Sequence, residues 1–145
     1  QTIRQFGVKL KHSVNRSCIE NKKVILIDDS IVRGTTASKI VRMVYEAGAK
    51  EVHLGISCPP IKHPDFYGID TPNYSQLIAS QSNLEKMTKL VGAKSLFFLS
   101  LTGTYKAMDC EERNPKAPQF TDHCFTGEYP IDVSEILKIN RIVNE

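Results

Sequence analysis

No apolar run in this chain is long enough to be a membrane span or a signal peptide. Cysteine is scarce and scattered: Cys18, Cys58, Cys110 and Cys124 form no C-x-x-C pair, so no disulfide framework or zinc ribbon is spelled out. A reduced, cytoplasmic chain is the expectation. None of the four histidines has a ligand-like spacing to another histidine or a cysteine. Neither sign of charge dominates, with 19 basic and 16 acidic residues and a net charge of +3. That mild balance argues against a nucleic-acid partner, and no helix-turn-helix pattern is present. Internal repeats and low-complexity tracts are lacking too.

What is there fits one globular domain: 145 residues, 41% of them hydrophobic, enough for a sizeable core. The stretch from Val24 to Thr36 organises it. Val24, Ile25, Leu26 and Ile27 form an apolar run too short for a helix and without polar alternation, which predicts a parallel-sheet strand covered on both faces. Ligands of such sheets sit at the carboxyl ends of the strands. Here that end carries Asp28 and Asp29, then the small, polar loop Ser30, Ile31, Val32, Arg33, Gly34, Thr35, Thr36. Gly34 allows close backbone approach or positive φ, and the threonines offer hydroxyls and amides, a combination that suits a phosphate. Ala37 to Ala47 follows as a predicted amphipathic helix, with Ile40, Val41, Val44 and Ala47 on one face and Gly48 as its stop.

Adjacent residues of a regular strand point to opposite faces, so Asp28 and Asp29 must lie where the strand ends and the chain turns if both are to reach one ligand. Two hard carboxylates there suit sugar hydroxyls or a Mg²⁺ ion; the plain alternative is punctuation of a strand end. For Arg33, pairing with phosphate and packing of the loop stay open alternatives.

Further along, Glu51 to Ile56 reads as a second strand, making a strand–helix–strand unit. Three prolines between Pro59 and Pro64 predict an extended loop, and Phe66, Tyr67 and Ile69 a short apolar element broken at 70–72. His63 is expected to be a hydrogen-bonding loop residue. Capping-box patterns place helix starts at Asn73 with Gln76 and at Ser82 with Glu85, the second helix burying Leu84, Met87, Leu90 and Val91 and ending at Gly92. Leu96 to Leu99 reads as a buried strand, Leu101 to Ala107 as a weak helix, Asp109 to Gln119 as a surface excursion, and Ser134 onward as a last amphipathic helix. Lys9, Lys11 and Arg16 precede the first strand as a basic arm.

These residues carry a resemblance. VILIDDSIVRGTT resembles the phosphoribosyl-pyrophosphate (PRPP) motif of type I phosphoribosyltransferases, and its DDSIVRGTT form is similar to that of the amidophosphoribosyltransferases. RQFGVKLK, EAGAKEVHLGIS, PPIKHPDFYGIDTP, LIAS, VGAKSL and CFTGEYP extend the likeness, in order, over most of the chain. The resemblance implies an α/β, Rossmann-like phosphoribosyltransferase domain with a parallel sheet, represented by its C-terminal part: the PRPP strand–loop–helix at 24–47 and an α/β and helical extension at 59–145. It implies the first step of purine synthesis, in which ammonia from glutamine displaces pyrophosphate from PRPP to give 5-phosphoribosylamine. Asp28 and Asp29 would hold the ribose hydroxyls or Mg²⁺, and Ser30 to Thr36 the 5-phosphate. No nucleophile or general base is evident.

The chain starts at Gln1 rather than Met, and by the resemblance the glutaminase domain, which supplies the ammonia, and the pyrophosphate loop lie outside it; alone, it is expected to catalyse nothing. Purine nucleotides as inhibitors and homo-oligomers of the longer enzyme are further expectations. Some members hold an iron–sulfur cluster through a cysteine in HPCFYG and others before CFTG. Here Asp65 and Thr121 occupy two such positions, so no cluster is expected. The rivals are a phosphoribosyltransferase acting on a base, and a PRPP-sensing regulator; the matches from Pro59 to Pro130 favour the amidotransferase.

Overall fold

A computed structural model of the chain describes residues 14–69, 71 and 73–136. Lys9, Lys11, the break at 70–72 apart from Thr71, and the last helix beyond Ile136 lie outside the described residues. Three strands, β1 (Lys23–Asp28), β2 (Glu51–Ile56) and β3 (Ser95–Phe98), form one parallel sheet in the order β1-β2-β3. The register aligns Asp28 with Ile56 and Ile56 with Phe98, so the carboxyl ends of all three strands lie level.

A single turn of helix, α1 (Arg16–Ile19), leads into β1 through Asn21, whose left-handed φ of 63° makes a tight turn. Helix α2 (Thr35–Glu46) connects β1 to β2, starting two residues before the predicted Ala37. It buries Ala37, Val41 and Val44, while Ile40 stays half-buried. After β2 the chain makes a 3₁₀ turn at Tyr74–Gln76, a short helix α3 (Ile78–Gln81), and helix α4 (Leu84–Val91). Helix α5 (Leu101–Ala107) follows β3 at the predicted residues, with the Ser100 hydroxyl capping it by accepting from the Gly103 amide at 3.0 Å. Helix α6 (His123–Thr126) comes next, and the described residues 134–136 are helical from the predicted start at Ser134.

The core lies on one face of the sheet. Val52, Leu54 and Ile56 of β2 and Leu96 of β3 pack with Val41 and Val44 of α2 and Met87 and Val91 of α4. Each such side chain, fully buried, contributes about 1.5–3 kcal/mol. Alternation sends Ile25, Ile27 and Phe97 to the other face, where they are 65%, 68% and 48% exposed. The expected two-sided cover of β1 is therefore not found among the described residues, because α2 and α4 both contribute to the one core. Gly55 sits between Ile27 and Phe97 on that bare face, and a Cβ there would lie 2.5 Å from the Phe97 ring.

Two helix starts depart from expectation. The cap of α4 is Asn83, not Ser82: its side chain accepts from the Lys86 amide at 2.9 Å, so the helix begins one residue later. Leu84 and Leu90 then turn outward, 50% and 54% exposed, and only Met87 and Val91 are buried. Asn73 does precede a helical turn, but a 3₁₀ one, and its side chain accepts from the Ser75 hydroxyl rather than capping an amide. Phe66, Tyr67 and Ile69 form no regular element, and Tyr67 and Ile69 are exposed.

Candidate functional site

Asp28 is the last residue of β1, and Asp29 begins the turn, as the geometry of two neighbouring carboxylates requires. One Asp28 carboxylate oxygen accepts from the Asp29 amide at 3.0 Å, and the Ser30 hydroxyl donates to Asp29 at 3.0 Å. The Asp28 carbonyl is held by the Ser57 amide at 2.9 Å and the Ser57 hydroxyl at 3.2 Å, which ties the end of β1 to the end of β2. Residues 28–37 line a cavity of about 290 Å³.

Gly34 sets the loop's shape. Its φ of 77° is left-handed, and a Cβ would lie 2.9 Å from Cδ1 of Ile78. Gly34 is also the N-cap of α2 and brings no side chain to the first-turn amides. Those amides and the positive end of the helix dipole face the loop, the usual arrangement for holding a phosphate. Ile31 is buried at 3% exposure and roots the loop in the core. Oxygen donors at the end of a strand fit a hard cation such as Mg²⁺, which keeps waters and takes one or two carboxylates. Arg33 is exposed, and its Nε donates to Oε1 of Gln76 at 2.8 Å.

A second polar centre was not legible in the sequence. Asp65, 8% exposed, and His123, 4% exposed, meet at 2.6 Å between Oδ1 and Nε2 across 58 residues of chain. The other Asp65 oxygen accepts from the amides of Tyr67 at 2.9 Å and Ile69 at 2.7 Å. Burial pushes the Asp65 carboxyl up, but the two amides and His123 outweigh it and hold it below its ordinary value. The ring of His123 packs against Tyr67 and Tyr129, and its Nδ1 is buried without a partner. His63 bonds the Tyr74 hydroxyl at 3.1 Å, as expected of a loop residue.

Beside it, Asp122 accepts from the Tyr105 hydroxyl at 2.7 Å and from Arg113 Nη2 at 3.1 Å, and Arg113 also reaches Glu128 at 2.6 Å. Burial raises the Asp122 carboxyl, while Arg113 and Tyr105 lower it further than that, for a net depression. The surface excursion at 109–119 is thereby pinned through Arg113.

Asp65, His123 and Cys124 bring one donor atom each within 4.8 Å of one another. The set does not fit an iron–sulfur cluster, which needs thiolates. Asp65 is already engaged on both oxygens, and burial, then the Asp65 charge, pushes the Cys124 thiol up to about 11. Cys58, likewise raised to about 11 by burial and then by Asp29, donates to the Pro59 carbonyl at 3.2 Å.

No family model matches the chain. Among curated proteins it is similar to the amidophosphoribosyltransferase of Rhizobium etli, 61% identical over 131 residues, covering 90% of this chain and 26% of that protein. The amidophosphoribosyltransferase of Bacillus subtilis is 47% identical over 133 residues, covering 92% of this chain and 28% of that protein. A solved structure of the glutamine PRPP amidotransferase from B. subtilis, complexed with ADP and GMP, superposes with a TM-score of 0.79 at 46% identity, over 93% of this chain and 30% of that one. The chain spans about a quarter of the length of the curated relatives it matches. The fold, the parallel sheet and the identity agree in making the chain similar to one segment, about a quarter of the length, of the amidophosphoribosyltransferases.

Proposed function

We propose that this chain holds the ribose 5-phosphate half of a PRPP site in an enzyme that transfers glutamine-derived ammonia to PRPP, giving 5-phosphoribosylamine, pyrophosphate and glutamate. The observation that carries the reading is the juxtaposition of Asp28 and Asp29 at a strand's carboxyl end with a Gly34-shaped loop opening α2 around one cavity. Ser30, Ile31, Val32, Arg33, Gly34, Thr35 and Thr36 form the 5-phosphate cradle, mostly through backbone amides. Asp28 and Asp29 take the ribose hydroxyls or share them with Mg²⁺. When bound, Mg²⁺ neutralises charge developing on the leaving pyrophosphate.

The cradle need not touch the reacting bond. It fixes a remote group so that binding energy orients the anomeric carbon toward the incoming ammonia. The glutaminase chemistry, the pyrophosphate loop and any purine nucleotide inhibition belong to the longer enzyme, which we read as a homo-oligomer. The four free thiols agree with a reducing compartment such as the cytoplasm, and no described helix is long and apolar enough to cross a membrane.

The test is steady-state kinetics on the full-length enzyme. Asp28→Asn and Asp29→Asn should each lower kcat/KM for PRPP by at least tenfold while glutamine hydrolysis stays measurable. Unchanged PRPP kinetics in both variants would reduce the acidic pair to punctuation of a strand end.

A further inference from the structure

Three consecutive loop residues are braced by one short segment far away in sequence. The Val32 carbonyl accepts from the Ile78 amide at 2.9 Å, the Arg33 Nε donates to Gln76 at 2.8 Å, and Gly34 rests against Cδ1 of Ile78. The 3₁₀ turn and α3 thus act as a strut under the loop, which has no side-chain cap of its own at Gly34. Gln76 is not among the residues lining the 290 Å³ cavity of residues 28–37. It lines the neighbouring, wider cleft of about 550 Å³, together with Arg33 and Ile78. Arg33 lines both cavities, and its side chain is tied through Nε to the strut.

We propose that Gln76 is a positioning residue of the PRPP site, which fixes the phosphate loop by holding the Arg33 guanidinium, and that the Arg33 side chain serves as the loop's anchor rather than as a phosphate ligand, its backbone remaining part of the cradle. The inference rests on the functional reading above, since it assigns a role relative to that site. Its physical basis is the rigidity of an amide cradle: donors preset toward an anion bind it without first being ordered, and loosening them weakens ground-state and transition-state binding alike. Loss of the strut thus raises KM for PRPP and leaves kcat nearly unchanged. A side chain that acted on charge developing at the reacting bond would lower kcat instead.

The experiment is a double-mutant cycle in the full-length enzyme, with KM and kcat for PRPP measured separately and basal glutamine hydrolysis as the check on folding. Gln76→Leu should raise KM about fivefold, the size of one ordinary solvent-exposed hydrogen bond. Arg33→Met should match it, and the double variant should be no worse than Arg33→Met alone, because both changes remove the same contact. Gln76→Glu, which keeps an acceptor for Nε, should stay within about twofold of the parent. Wild-type KM in Gln76→Leu, or single effects that multiply in the double variant, would overturn the proposal, the second by showing that Arg33 acts on the ligand independently of Gln76. A parent enzyme that consumes no PRPP would sink the site reading and this role with it, a result distinct from a working parent with an indifferent Gln76→Leu.

Discussion

Replacing Asp65 should loosen the join between the loop after β2 and the segment around α6. Asp65→Ala removes the acceptor for His123 Nε2 and for the amides of Tyr67 and Ile69. Breaking a buried pair by deleting one partner costs about 3–5 kcal/mol; the loop amides regain water, so the lower end, about 3 kcal/mol, applies. Two reporters lie off the deleted bonds: the Lys62 amide, which donates to the Cys124 carbonyl at 2.9 Å, and the Gly127 amide, which donates to the His123 carbonyl at 2.8 Å. Native-state hydrogen exchange at both should quicken by roughly 150-fold, the equivalent of that 3 kcal/mol. The pH dependence has a definite sign. Because the Asp65 carboxyl is depressed in the folded chain, its contribution is complete above the ordinary carboxyl range and is lost as pH falls through the folded value. Protection, corrected for intrinsic rates, should hold steady from neutrality to about pH 4 and then collapse; in Asp65→Asn this acid step should be reduced. Exchange within threefold of the parent in Asp65→Ala would refute the claim that the pair joins the two segments.

Gly34→Ala should destabilise by about 1–3 kcal/mol, from the left-handed φ and the 2.9 Å approach to Ile78, and should weaken PRPP binding; chemical denaturation and a PRPP titration would show it. Alkylation at pH 8 should modify exposed Cys18 well before Cys58 and Cys124, whose thiols are raised to about 11, and mass spectrometry of timed samples would reveal any other order. Residues 1–145 alone should bind ribose 5-phosphate weakly in calorimetry and release no pyrophosphate in an ammonia-dependent assay, since one anchor orients the sugar but not the leaving group. Turnover by the isolated chain would contradict the split site.

Strand and loop chemistry were readable where the signal is local. The apolar run at 24–27, the EVHLGI segment and the LFFL segment each became a strand because β-branched and aromatic side chains suit a buried pleat. The positions of Asp28 at the end of β1 and Asp29 in the turn were legible because the apolar run stops there. The cap of α4 was missed by one residue, since Ser82 and Asn83 are both good caps and only the tertiary packing of Met87 and Val91 selects between them. Asp65 with His123 and Arg33 with Gln76 are 58 and 43 residues apart, and no periodicity links such pairs. Apolarity also could not tell which of Val24, Ile25, Leu26 and Ile27 meet the core, because all four read alike until the helices choose a face.

The sheet order has a consequence for how the chain forms during synthesis. Since β1, β2 and β3 are neighbours in the order they are made, β2 and β3 each find a partner already emerged, and none of the described strands must insert between two earlier ones. Among the described strands only β2 has a partner on both sides, so pairing among these three cannot begin until Glu51–Ile56 has left the ribosome. Until then the Val24–Ile27 run lacks its β2 partner, an aggregation-prone interval whose length is set by translation speed across α2. Slow codons within 29–50 should therefore lower the soluble yield more than slow codons placed after β3.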